Sequence, residues 1–206
     1  AAPIGVFYSR VPEMIRRACK ADAYITHKSR EAYAASLAIA ATVAGICRYD
    51  RRSLSYIYNV KDFVASQLMI LEDDNIVGKS VRYALVIYDE NPALENIVDE
   101  RFGRFGNAWQ ITATSILCAF KALHLTTTTK ASPLEIFMRG VSSAVRLGGD
   151  TDTRGAITGA ILGAYAGVDV LEKTDLYKKL NHKYISNSDL MSQDMRLYAK
   201  SIAKED

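Results

Sequence analysis

Between residues 146 and 167 the chain reads RLGGDTDTRGAITGAILGAYAG, with Gly155, Gly159, Gly163 and Gly167 at intervals of four. Residues four apart share one face of an α-helix. Each glycine costs a helix about 1 kcal/mol relative to alanine. A glycine face is therefore worth having only where another backbone comes close. The segment 31–49 offers a matching stripe of small residues, Ala34, Ala38, Ala41 and Gly45, and is the expected partner. Such a pair would form the centre of an all-helical domain.

The rest of the chain agrees with that class. Phe63, Val64, Leu68 and Leu71 give residues 60–74 a helical apolar face. Residues 107–123 contain Ile111, Thr114, Cys118 and Phe120, weaker helix formers, but the length of the run favours helix. Residues 133–147 open with Ser132 in the N-cap position, Pro133 as the first helical residue and Glu135 in the first turn. The opening AAPIGVFYSR reads as an apolar, turn-like segment. No alternating stretch is long enough to build a sheet, and there is no repeat. The expected architecture is all-α with short loops, in one domain over residues 1–206.

Composition narrows the function. Lys and Arg total 26 against 23 Asp and Glu, a net charge of +3. That balance argues against a dedicated nucleic-acid binder, and the basic run at 48–52 reads as a solvated turn. Cys19, Cys47 and Cys118 show no metal-type spacing, and an odd count reads as reduced and intracellular. Each is expected to be buried in a helix. The longest apolar run, 32–47, is shorter than the roughly 20 residues of a membrane span, so no membrane partner is expected. No secretory leader pattern opens the sequence. The expected location is cytoplasmic.

The chemistry-bearing feature is the pair Asp150 and Asp152. One carboxylate suffices to cap a helix N-terminus, where the dipole favours negative charge. Two carboxylates, with Thr151 and Thr153 beside them and Gly148 and Gly149 allowing a tight turn, also form a set of hard oxygen donors suited to Mg²⁺ or Ca²⁺. Capping and cation binding both remain open on these residues. A calcium loop of the EF-hand type fails, because its fifth position would be Arg154 and its twelfth Ile161 rather than Glu. An Asp-x-Asp phosphatase site requires a preceding buried strand, and here a helix and two glycines precede.

The string GGDTDTRGAITGAILGAYAG resembles the metal-binding signature of the ADP-ribosylglycohydrolases. Three further stretches resemble that family in the expected order: APIGVFY at 2–8, ADAYITHKSREAYAASLAIA at 21–40 with Thr26 and His27, and RFGNAWQITATSILCAFKAL at 104–123. The resemblance runs from Ala2 to about Gly167. It implies a compact orthogonal helical bundle. It also implies Mg²⁺-dependent hydrolysis of the α-glycosidic bond that links ADP-ribose to a modified protein or small molecule. By the same resemblance Asp150, Asp152 and Thr153 are metal ligands, and His27, Phe105, Gly106, Asn107, Gly148 and Gly149 approach the substrate.

Two departures accompany it. The family's Thr-Asp-Asp-Thr string and its Asn-Gly-x-x-Met-Arg loop are both absent, so the sequence looks like the C-terminal two-thirds of the family domain. The family's catalytic acidic residue would lie in the part not matched. The family holds two Mg²⁺ ions. This chain alone is expected to hold at most one, weakly, unless a second chain supplies the other ligands. The alternative that the resemblance allows is a non-catalytic ADP-ribose-binding or crystallin-like scaffold. The only other adjacent acidic pair, Asp73 and Asp74, is expected to be solvated.

Overall fold

A computed structural model describes residues 1–90 and 93–179. It divides into two compact units, the first Ala1–Gly167 and the second beginning at Val168. The sequence alone leads to the expectation of one domain over residues 1–206. Residues 180–206, including His182, lie outside the described residues.

The first unit holds nine helices among the described residues: α1 (Ala2–Phe7), α2 (Pro12–Thr26), α3 (Arg30–Arg48), α4 (Tyr56–Leu68), α5 (Ile76–Ile87), α6 (Leu94–Arg101), α7 (Ala108–Thr128), α8 (Pro133–Arg146) and α9 (Thr151–Ala166). No strand occurs among the described residues, in agreement with the all-α expectation. The centre is built on α3 and α7. From Ser36 to Ile46 every residue of α3 is buried, and so is every residue of α7 from Gln110 to Phe120. Helices α1, α2, α4, α5 and α9 pack on α3, while α5, α8 and α9 pack on α7.

Local chemistry sets the helix starts. The Ser29 hydroxyl accepts from the Ala32 N–H at 3.1 Å, and the Asn75 side chain accepts from Gly78 N–H at 2.9 Å. Ser132 and Glu135 form a reciprocal capping box at the start of α8, as the sequence suggested.

Three expectations need correction. Residues 2–7 are helical rather than turn-like. Six residues are too few to display a period, and α1 owes its place to a tertiary crossing. A Cβ at Gly5 would lie 2.3 Å from the Ala40 carbonyl oxygen, so only glycine lets α1 lie this close to α3. Next, the helix expected over 60–74 runs from Tyr56 to Leu68 instead. Glu72, Asp73 and Asp74 would sit at its negative C-terminal end, where acidic charge is unfavourable. The chain turns, Arg82 Nη1 donates to the Leu68 carbonyl at 3.2 Å, and Asn75 starts the next helix. Finally, Cys19 and Cys118 are buried, but Cys47 is exposed.

The glycine face of α9 also has a different partner from the one expected. Gly155 and Gly159 lie against Val145 and Val141 of α8, where an added Cβ would come within 3.2 and 3.7 Å. Gly163 has nothing within 4 Å, and Gly167 is the C-cap, with φ +84°. Helix α9 does pack on α3, but the glycines face the α8 valines.

The second unit begins with α10 (Val168–Leu171) and α11 (Asp175–Lys178). Between them the Thr174 hydroxyl donates to the Leu171 carbonyl at 2.7 Å and accepts from the Tyr177 N–H at 3.2 Å. No helix among the described residues is long and apolar enough to cross a membrane.

Candidate metal and substrate site at the start of α9

The first turn of α9 is assembled from a glycine turn, a cap and a buried arginine. Gly148 and Gly149 have φ of +73° and +66°, the left-handed region that disfavours side chains. Gly149 is also the tightest point of the turn. A Cβ there would lie 2.0 Å from the carbonyl oxygen of Arg104, so the backbone of the 103–107 loop rests directly on it. Asp150 follows as N-cap, and its Oδ1 accepts from the Thr153 N–H at 3.4 Å. Only Oδ1 serves the backbone cap, so the capping and cation readings do not compete for the same atom.

The second oxygen, Oδ2, lies 3.4 Å from where a Cβ of Gly106 would stand. The absence of a side chain at Gly106 keeps the carboxylate open. Hydrogen bonding from Thr153 holds the Asp150 carboxyl below its ordinary value. Asp150 is ionised at neutral pH, as a cation ligand must be. Asp152 and Thr153 are exposed on the same turn.

Arg154, the next residue, turns the opposite way and is fully buried. Its Nε donates to Thr114 Oγ1 of α7 at 2.9 Å, and its Nη1 donates to the Gly148 carbonyl at 2.6 Å. One side chain thus ties the glycine turn to both α9 and α7. Its Nη2 has no hydrogen-bond partner among the described residues. One turn further on, the Thr158 hydroxyl donates to the Ser115 carbonyl at 3.3 Å, continuing the polar seam between α7 and α9.

The 102–107 loop is held just as firmly. The buried Gln110 donates to the Phe102 carbonyl at 2.6 Å and accepts from Asn107 Nδ2 at 3.0 Å. Asn107 occupies the N-cap position of α7, but its side chain accepts no cap hydrogen bond there. Arg104 forms a two-pronged ion pair with Asp99, its Nη2 at 2.7 Å from Oδ2. Phe105 is left 76% exposed at the loop tip, an apolar ring facing solvent.

His27 caps the C-terminal end of α2, and its Nδ1 lies 2.8 Å from Thr26 Oγ1. It lines a cleft of about 340 Å³ together with Asp22, Ser29, Glu31 and Ala108. Ala108 is the first residue of α7, next to Asn107. The structure therefore joins the expected residues through a chain of neighbours: the His27 cleft borders the start of α7, the loop before α7 carries Gly106, and Gly106 rests against Asp150. Asp73 and Asp74 are exposed in the turn before α5, as expected of a solvated pair.

Thr114, Gln110 and Arg104 escaped the sequence reading. The Thr114 partner, Arg154, is 40 residues away, and the Gln110 and Arg104 contacts span a loop of no regular period, so none leaves a pattern to read. Arg154 did carry a signal, as a charged residue inside a glycine and alanine helix, but its inward direction depends on Thr114, 40 residues away.

Asp150, Asp152 and Thr153 place three oxygen-bearing side chains on one helix turn, where Mg²⁺ takes about six oxygen ligands. They are too few to enclose two ions. Among the described residues no group of three or more His, Cys, Asp or Glu gathers into a metal-binding cluster.

A family model described as ADP-ribosylglycohydrolase matches residues 1–205. No curated protein matches the chain.

Proposed function

We propose that this chain, which belongs to the ADP-ribosylglycohydrolase family, hydrolyses the α-glycosidic bond between ADP-ribose and a modified protein or small molecule, with Mg²⁺ as cofactor. Membership makes it a relative of glycohydrolases. Mg²⁺ dependence and the ADP-ribose substrate are proposed on the site's own residues. The observation that carries the reading is the Asp150 carboxylate at the start of α9, held ionised by hydrogen bonding from Thr153 and faced by Gly106 rather than by a side chain.

Asp150, Asp152 and Thr153 would hold the ion. When bound, Mg²⁺ would orient the ribose hydroxyls and a water near the anomeric carbon. The chain's own residues supply the rest of the positioning. Gly106 lets a ligand backbone or sugar approach Asp150 without steric conflict. Phe105 offers an apolar ring to the adenine-side half of ADP-ribose, and Asn107 a fixed amide beside it. Gly148 and Gly149 shape the turn, and His27 contacts substrate from its cleft. Because the Thr-Asp-Asp-Thr string is absent from these 206 residues, the remaining metal ligands and the acidic group come from elsewhere in the gene product or from a second chain.

The test is release of ADP-ribose from arginine-linked and serine-linked ADP-ribosylated proteins by the longest gene product, with Mg²⁺ and with EDTA. Release that needs Mg²⁺ and is lost in Asp150→Asn is the expected result. Binding of ADP-ribose without release under any metal condition would replace the enzyme reading with the non-catalytic scaffold.

A further inference from the structure

A larger concavity, of about 500 Å³, opens between α6, α7 and α8 and takes no part in the reading above. It shares no lining residue with the His27 cleft. Its volume lies within the range usual for small-molecule sites. Among the described residues no carboxylate lines it, whereas three cations do: Lys121 from α7, and Arg139 and Arg146 from α8.

The α8 wall follows from helix geometry. Arg139, Ser142, Ser143 and Arg146 are three, four and seven residues apart, so they form one face. Seven residues advance the axis by about 10 Å, which separates the two guanidinium groups along the groove, with two hydroxyls between them. Neither arginine makes an ion pair among the described residues. Glu135, the acid one turn before Arg139, is hydrogen-bonded in the Ser132 capping box and acts on Arg139 only through space. Across the groove, Lys121 Nζ donates to the Glu90 backbone carbonyl at 2.6 Å. Burial pushes the Lys121 ammonium below its ordinary value even though Glu90 and Asp89 oppose the change. The remainder of the lining is largely apolar, with Leu94, Leu125 and Met138 beside the charged wall.

Unpaired arginines beside hydroxyls, in a partly apolar cleft without carboxylates, recognise phosphate oxygens. The planar fork of arginine matches phosphate in a two-pronged fashion. The axial separation of the two arginines suits an elongated anion better than a single phosphate. We propose that this cleft binds a diphosphate-bearing small molecule, gripped by Arg139 and Arg146, with Ser142 and Ser143 donating to its oxygens and Lys121 closing from α7.

Calorimetric titration of the chain with inorganic pyrophosphate, in EDTA so that no cation can recruit the anion to Asp150, tests this directly. Expected is saturable binding of one pyrophosphate per chain, tighter than inorganic phosphate. The variant R139Q/R146Q should weaken it roughly tenfold or more, since both charge-assisted forks are lost. The variant R10Q/K79Q removes the same charge from the surface elsewhere and should leave the affinity unchanged. Both α8 arginines are exposed, so thermal melts should be unaltered. If R139Q/R146Q melts early, S142A/S143A carries the test with an expected weakening of about threefold. Absence of saturable binding, or equal weakening by both charge variants, overturns the site. Equal affinity for phosphate and pyrophosphate overturns the diphosphate assignment.

Discussion

Replacing Gly149 by alanine tests the geometry on which the candidate site rests. The substitution meets two separate penalties. At φ +66° an alanine must adopt the left-handed conformation, which costs about 1–2 kcal/mol. Its Cβ must also find room 2.0 Å from the Arg104 carbonyl oxygen and 3.1 Å from the carbonyl carbon. These are backbone atoms and cannot swing aside. Forcing them apart costs about another 1–3 kcal/mol, as overpacking does elsewhere. Gly149→Ala should therefore lose about 3 kcal/mol, which for a chain of this size lowers Tm by roughly 6–12 °C. Gly148→Ala separates the two causes. Its φ is +73°, but the nearest obstacle is the tip of the Arg104 side chain at 3.4 Å, so it should lose only the conformational part, about 1–2 kcal/mol. Thermal melts by circular dichroism compare the three proteins. Equal losses for the two variants would show that the Arg104 carbonyl does not rest on Gly149. No loss in either would refute the turn itself.

Gly163→Ala, at a helical position with open space around it, should gain about 1 kcal/mol, readable as a higher urea midpoint. Ser132→Ala removes the capping box of α8 and should lose about 1 kcal/mol in the same assay. The Asp150 carboxyl should titrate by NMR with a midpoint below its ordinary 3.8. A depressed folded value means that its stabilising contribution is fully present above the unfolded value and is lost as pH falls through the folded one. A midpoint at or above 3.8 would remove the Thr153 hydrogen bonding as its cause. Titration with Mg²⁺ should show at most one weak site, abolished in Asp150→Asn, and tight uptake of two ions would contradict the donor count.

What was legible in the sequence was whatever repeats locally. The long helices α3, α7, α8 and α9 announce themselves by period, and the capping box by residue type. The Gly-Gly turn and the Asp150 cap were readable because each depends on residues within a few positions. The short α1 was not, because Gly5 against Ala40 is a contact between two helices. The glycine face of α9 packs over only two of its four glycines, Gly155 and Gly159, and against valine side chains of α8 rather than a close backbone, a choice that spacing alone does not record. The inward turn of Arg154, the clamp of Gln110 on Phe102 and the exposure of Cys47 all depend on where other helices lie. No pattern near those residues records that.

The Arg154 anchor has a consequence for how a ligand is received. The guanidinium holds the Gly148 carbonyl from inside the core, and Gln110 holds the facing loop. Ordering these segments is therefore an expense already met during folding. A ligand arriving at Asp150 need not freeze them again, and less of its interaction energy is lost to immobilising the receptor. The association rate should then reflect diffusion and orientation rather than a loop-closing step, and the same conformer should meet weak and strong ligands alike.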